Sequence, residues 1–156
     1  MAQTNVLVVE DESIVSKDIQ HSLKKLGYNV VGAAATGEQA VKLAMETQPD
    51  IILMDIMLKG ELNGIEAATQ IRTETNIPVI FLTAYADEST LNKAKVTQPY
   101  GYIIKPFKEI DIHTSIEMAL YKHKKEAEVL KERDLLFNLV ESQGATKDLL
   151  FVKSNS

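Results

Sequence analysis

Four short apolar runs, each closed by a polar residue, constrain this chain more than any other feature. Val6-Leu7-Val8-Val9 leads into Glu10-Asp11, and Ile51-Ile52-Leu53-Met54 leads into Asp55. Pro78-Val79-Ile80-Phe81-Leu82 leads into Thr83, and Tyr102-Ile103-Ile104 into Lys105-Pro106. Unbroken apolar runs of this length, set between stretches of helical periodicity, are the pattern of strands buried on both faces of a parallel sheet. Open sheets of that kind bind ligands at the carboxyl ends of their strands. Three acids, a hydroxyl and a lysine are therefore expected on one edge. That set suits a divalent cation and a phosphoryl group.

Strands and helices alternate along the chain. Strands are expected at about 5–10, 28–34, 50–55, 77–83 and 101–105. Pro78 is tolerable near a strand start, where no ladder donor is needed. The first helix is expected at about 13–26, with Ile14, Val15, Ile19, Leu23 and Leu26 at helical spacing and a stop at Gly27. The second runs from Gly37 to Thr47 with Thr36 as N-cap. The third, about 64–74, turns Ile65, Ala68 and Ile71 inward, and the fourth covers about 87–97, with Asp87 and Glu88 at its positive end. Five βα units with short connections predict a doubly wound α/β fold, helices on both faces of a five-stranded parallel sheet.

The fifth helix begins near residue 107 and is unusually long. From Lys108 to Ser142 there is neither proline nor glycine, far beyond the usual three turns. Ile112, Ile116, Ala119 and Leu120 are expected to face the domain. Beyond Tyr121 the sequence becomes highly charged, with apolar residues only at intervals (Leu130, Phe137, Val140). This suits a helical linker that could pair with a copy of itself, but the a/d pattern is too broken for a strong coiled coil, because Glu126 and Arg133 fall on the seam. Gly144 ends it. Residues 148–156 read as a new strand without a partner, so the natural protein is expected to continue. The expected division is a domain at 1–122, a helical linker at 123–144 and the start of a truncated output domain at 145–156.

Composition removes several function classes. A net charge of −5 over 156 residues gives no basic face for direct nucleic-acid binding. The absence of cysteine excludes disulfides, thiolate metal sites and cysteine nucleophiles. A first strand by about residue 5 leaves no room for a signal peptide, and no apolar stretch approaches the roughly 20 residues of a membrane span. The expectation is a cytoplasmic, reduced, globular domain with no membrane contact.

The residues at the strand ends have separate chemical roles. Asp55 is the candidate nucleophile, since a carboxylate can attack a phosphoryl group to give an acyl phosphate. Glu10, Asp11 and Asp55 repel one another unless a cation lies among them, and oxygen-only ligands favour Mg²⁺. Lys105 supplies fixed positive charge on the far side of the phosphoryl group. The Thr83 hydroxyl can donate to a phosphoryl oxygen.

At these residues the chain resembles the receiver domain of two-component response regulators, a flavodoxin-like fold, over about residues 4–122. The matching pieces are Val8-Val9-Glu10-Asp11-Glu12, Pro49-Asp50-Ile51-Ile52-Leu53-Met54-Asp55, Phe81-Leu82-Thr83-Ala84 and Gly101-Tyr102-Ile103-Ile104-Lys105-Pro106-Phe107. The resemblance implies that Asp55 accepts phosphate from the phosphohistidine of a sensor histidine kinase. It implies Mg²⁺ held by Glu10, Asp11, Asp55 and the backbone carbonyl of Met57, and a cis Lys105-Pro106 bond. It further implies a switch in which Thr83 moves inward and Tyr102 follows. The readout, and a possible homodimer contact, would be the face of helix four, strand five and helix five, with the C-terminal helix as a second pairing surface. The domain would signal, acting on itself at most through phosphorylation by small donors and self-dephosphorylation.

Two departures from the family pattern stand out. Glu10 occupies a position where Asp is also common. The loop after Asp55 is one residue longer than the commonest form and lacks its usual proline, with Met57 and Tyr85 flanking the site. Residues 148–156 also resemble the opening strand of the LytTR-type DNA-binding domain, which would make the whole protein a transcriptional regulator. The alternatives are a sensor or kinase module after the helix, or a docking module independent of phosphorylation. A phosphohydrolase with an aspartyl nucleophile would want Asp-x-Asp after the first strand. A flavin module would want a Ser/Thr/Gly-rich loop where Glu10-Asp11-Glu12 stands.

Overall fold

The computed structural model describes residues 3–84 and 88–144. Five strands, β1 (Asn5–Val9), β2 (Asn29–Ala34), β3 (Ile51–Asp55), β4 (Val79–Thr83) and β5 (Gly101–Ile104), alternate with five helices. The helices are α1 (Ser13–Lys25), α2 (Gly37–Thr47), α3 (Gly64–Glu74), α4 (Glu88–Lys95) and α5 (Glu109–Gly144). All strand pairs are parallel, in the order β2-β1-β3-β4-β5. This is the five-stranded doubly wound sheet that the apolar runs predict. Every residue of β3 and β4 is buried, which is why those strands carry no polar alternation.

Two apolar layers cover the sheet. One gathers Leu7, Val9, Ile52, Met54 and Phe81 against Ala40 and Ala44 of α2 and Ala67, Ala68 and Ile71 of α3. The other gathers Val6, Val8, Leu53, Ile80 and Leu82 against Ile19 and Leu23 of α1 and Ile112, Ile116 and Ala119 of α5. Each fully buried Leu or Ile contributes roughly 1.5–3 kcal/mol. The α5 residues expected to face the domain do so, with Leu120 partly buried beside them. Thr36 caps α2 as expected, accepting from the Gln39 N–H at 3.1 Å.

The first helix corrects one expectation. Ile14 is 78 % exposed, and Ser16 is buried in its place. The buried face of α1 is set by Ile19 and Leu23. At about 100° per residue, Ile14 lies about 140° away from Ile19, whereas Ser16 lies within about 60°. Element ends also differ by one or two residues. β4 starts at Val79, although the Pro78 carbonyl already accepts the Ile52 N–H at 3.0 Å; Pro78 itself has no N–H to give to the ladder. α5 starts at Glu109, with the Asp111 carboxylate accepting from the Lys108 N–H at 2.9 Å. The expected first residue of α4, Asp87, lies outside the described residues, as do Tyr85 and the strand expected at 148–156.

The chain divides after Tyr121. Residues up to Tyr121 form one compact unit. From Lys122 a second begins, whose described part is the remainder of α5, where Leu130, Leu136, Phe137 and Val140 are all exposed. Among the described residues no helix is long and apolar enough to cross a membrane.

Candidate functional site

The strand order explains where the polar residues gather. The chain order reverses between β1 and β3, and the carboxyl ends of strands at such a reversal open a crevice. Glu10 and Asp11 follow β1, and Asp55 is the last residue of β3. Carboxylate oxygens of the three lie within 4.8 Å of one another. Across the crevice, Lys105 follows β5. Its Nζ donates to Glu10 Oε1 at 2.7 Å and to Asp55 Oδ2 at 3.2 Å. Thr83, the last residue of β4, is buried, and its carbonyl accepts the Lys105 N–H at 2.7 Å. All five residues expected on this edge are brought together there.

The electrostatics follow from burial. The Glu10 side chain is wholly buried. Burial pushes its carboxyl up to about 7, with Lys105 opposing the rise and the neighbouring Asp55 adding to it. Burial alone would lower the Lys105 ammonium, but its bonds to Glu10 and its proximity to Asp55 outweigh that and hold it above its ordinary range. The lysine is thus the counter-ion of two acids. A hard, oxygen-only donor set with one partly exposed member, Asp11, fits a divalent cation that keeps several waters.

This charge state has a measurable consequence. A carboxyl whose folded pKa lies above its unfolded value favours the folded chain below about 4.5. That contribution is lost as the pH rises through about 7. A cation needs the same group deprotonated. Mg²⁺ should therefore bind about tenfold more weakly at pH 6 than at pH 8, the ratio for one proton leaving near pH 7. Calorimetric titration at the two pH values checks this, and equal affinity would show that Glu10 holds no such proton.

The remaining expected residues also find places. The Lys105-Pro106 bond is cis. Met57 is exposed, and its N–H donates to Asp55 Oδ1 at 2.9 Å. Tyr102 packs on Phe81, ring centroids 6.2 Å apart. Among the described residues its buried hydroxyl finds no hydrogen-bond partner, and burial raises its pKa. A groove of about 680 Å³ between α1 and the segment after β5 is lined by Val15, Ile19, Phe107 and Ile112 and reaches Lys105.

Two features escape the sequence reading. Gly64 lies against the nucleophile candidate's own backbone, where a Cβ would stand 2.1 Å from the Asp55 carbonyl oxygen. Asn63 and Glu66 form a capping box, each side chain accepting the other's N–H at 2.9 Å. The box was signalled by Asn63 standing three residues before Glu66. The close approach of Gly64 had no such signal.

A parallel sheet with acids at the chain reversal and a lysine across from them is the architecture of a signalling receiver domain. The chain belongs to the response regulator receiver domain family, whose pattern matches residues 6–117. It is 34 % identical over 115 residues to the transcriptional regulatory protein PdtaR of Mycobacterium tuberculosis, covering 74 % of this chain and 56 % of that protein. It is 34 % identical over 119 residues to the phyllosphere-induced regulator PhyR of Methylorubrum extorquens, covering 76 % and 44 %. The chain thus spans about half the length of these curated relatives. Among solved structures, the signal receiver domain of a modulated diguanylate cyclase from Desulfovibrio desulfuricans G20 superposes with a TM-score of 0.77 at 42 % identity, covering 80 % of this chain and 99 % of that one.

Proposed function

We propose that Asp55 accepts a phosphoryl group from a phosphohistidine of a sensor histidine kinase and that the domain passes the change to an output module. A carboxylate oxygen of Asp55 attacks phosphorus, the P–N bond breaks, and the imidazole leaves with its electron pair. Glu10, Asp11, Asp55 and the Met57 carbonyl would hold Mg²⁺, which neutralises charge on the transferring group when bound. Lys105 moves from its acid partners to a phosphoryl oxygen, and the Thr83 hydroxyl donates to another. Tyr102 follows Thr83, biasing a two-state element that already exists.

The observation that carries this reading is the convergence of the Glu10, Asp11 and Asp55 carboxylates under a lysine bonded to two of them. The groove beside Lys105 supports access by a protein donor. Exposed apolar residues, Val96 after α4, Ile104 on β5, and Ile110 and Met118 on α5, support readout or homodimer contact through that face. The exposed apolar residues of the helix after Tyr121 support the alternative of pairing there.

The domain division remains as the sequence suggests: receiver to 122, linker at 123–144 and the opening of an output domain from 145. The similarity to the transcriptional regulatory protein PdtaR favours a transcriptional output, of which a LytTR-type domain is one form, and the protein would work in the cytoplasm. The second reading is attachment to a sensor or kinase module; the similarity to a receiver from a diguanylate cyclase instead favours a catalytic output of another kind. Incubation with acetyl phosphate and Mg²⁺ should add one phosphate by intact mass, and Asp55→Ala should add none. If neither acetyl phosphate nor a kinase phosphorylates the wild type, the domain is a phosphorylation-independent docking module.

A further inference from the structure

The loop between β3 and α3, residues 56–63, contains no proline, so its course must be set by its contacts. Three anchors are visible. The Met57 N–H is bonded to Asp55, the Leu58 side chain is buried in the core, and Leu62 rests on the first residue of α2. That last anchor is unusually close. A Cβ at Gly37 would lie 2.7 Å from both the Cβ and the carbonyl oxygen of Leu62, closer than real Cβ atoms come.

The other side of the contact has little freedom to retreat. The Thr36 cap and the Ala35 N–H bond to Gln39 fix the start of α2, and Gly37 and Ala40 are buried. Between the anchors the loop turns at Gly60, at φ +98°, a conformation that side chains rarely adopt.

We propose that Gly37 is a positioning residue for the β3–α3 loop. By letting α2 approach Leu62, it sets where the loop backbone from Met57 onward lies relative to Asp55. The proposal rests on the reading of Met57 as a metal ligand only in its consequence for Mg²⁺, since the loop's placement can be measured without metal.

The test is Gly37→Ala in the full chain, read by amide NMR shifts of residues 57–63 without metal and by Mg²⁺ titration at pH 8. The added methyl should shift those amides while α3 and β3 hold. It should also weaken Mg²⁺ by about tenfold, the lower end of what losing a supporting contact costs at a metal site. Leu62→Gly, which removes the Cβ but not the carbonyl oxygen from the contact and leaves α2 untouched, should shift the amides of residues 57–60, outside its own neighbourhood, and weaken Mg²⁺ in the same direction, and it decides the matter if Gly37→Ala does not fold. Loop amides that coincide with the wild type in the folded variants, with affinity changed by less than about twofold, would overturn the proposal. If the wild type binds no Mg²⁺, the functional reading fails, and the amide shifts still decide the role of Gly37.

Discussion

Lys105→Ala should lose about 3 kcal/mol of stability at pH 8 in metal-free buffer, and Mg²⁺ should return most of it. The lysine is the charged partner of Glu10 and Asp55, and the Glu10 side chain has no access to water. Removing one member of such a pair leaves an uncompensated charge, which costs far more than losing a surface bridge. Glu10 can escape only by holding its proton, which its raised pKa already favours. The loss should therefore be greatest above pH 7 and fade towards pH 5. A cation that binds only the folded site stabilises it by mass action. Urea unfolding at both pH values, with and without Mg²⁺, reads all three effects. Equal losses at pH 5 and pH 8 would mean that the aliphatic stem, and not the charge, is what the fold requires.

Gly64→Ala should be at least as damaging, by about 3 kcal/mol or more. Its methyl would stand 2.1 Å from the Asp55 carbonyl oxygen and 2.9 Å from Ile56 Cα. All the obstructing atoms are backbone, so no side chain can rotate aside. Either α3 moves away from β3, or the end of β3 moves and carries Asp55 with it. At this chain length the midpoint of thermal unfolding should fall by about 6–12 °C. Calorimetry measures the fall, and a wild-type midpoint would show that α3 can slide without cost.

These two residues mark where sequence reading succeeds and where it stops. Lys105 was legible because parallel strands buried on both faces leave continuous apolar runs, and the first polar residue after each run must sit at the functional edge. The same logic found Glu10, Asp55 and Thr83. The interior face of α1 was less legible. Ile14 fits the composition of a buried helix but not the angle fixed by Ile19 and Leu23. The seating of Gly64 on Asp55 and of Gly37 on Leu62 was invisible because both contacts involve carbonyl oxygens of residues distant in sequence, whose positions depend on the finished backbone. That the Tyr102 hydroxyl meets no partner among the described residues was hidden for the same reason, since it depends on how the core packs.

The strand order also dictates when the site can exist. No two neighbouring strands are joined by a hairpin, so every pairing waits for a crossover to close, and folds made of such distant pairings form slowly. Glu10 and Lys105 are 95 residues apart in sequence and meet within one hydrogen bond. A chain emerging from the ribosome carries Glu10, Asp11 and Asp55 long before it carries the lysine that bonds to Glu10 and Asp55. Until β5 arrives, a centre with all three acids ionised opposes its own burial. In the growing polypeptide the grouping of Glu10, Asp11 and Asp55 under a lysine is thus missing, and it forms only in a molecule whose sheet is complete.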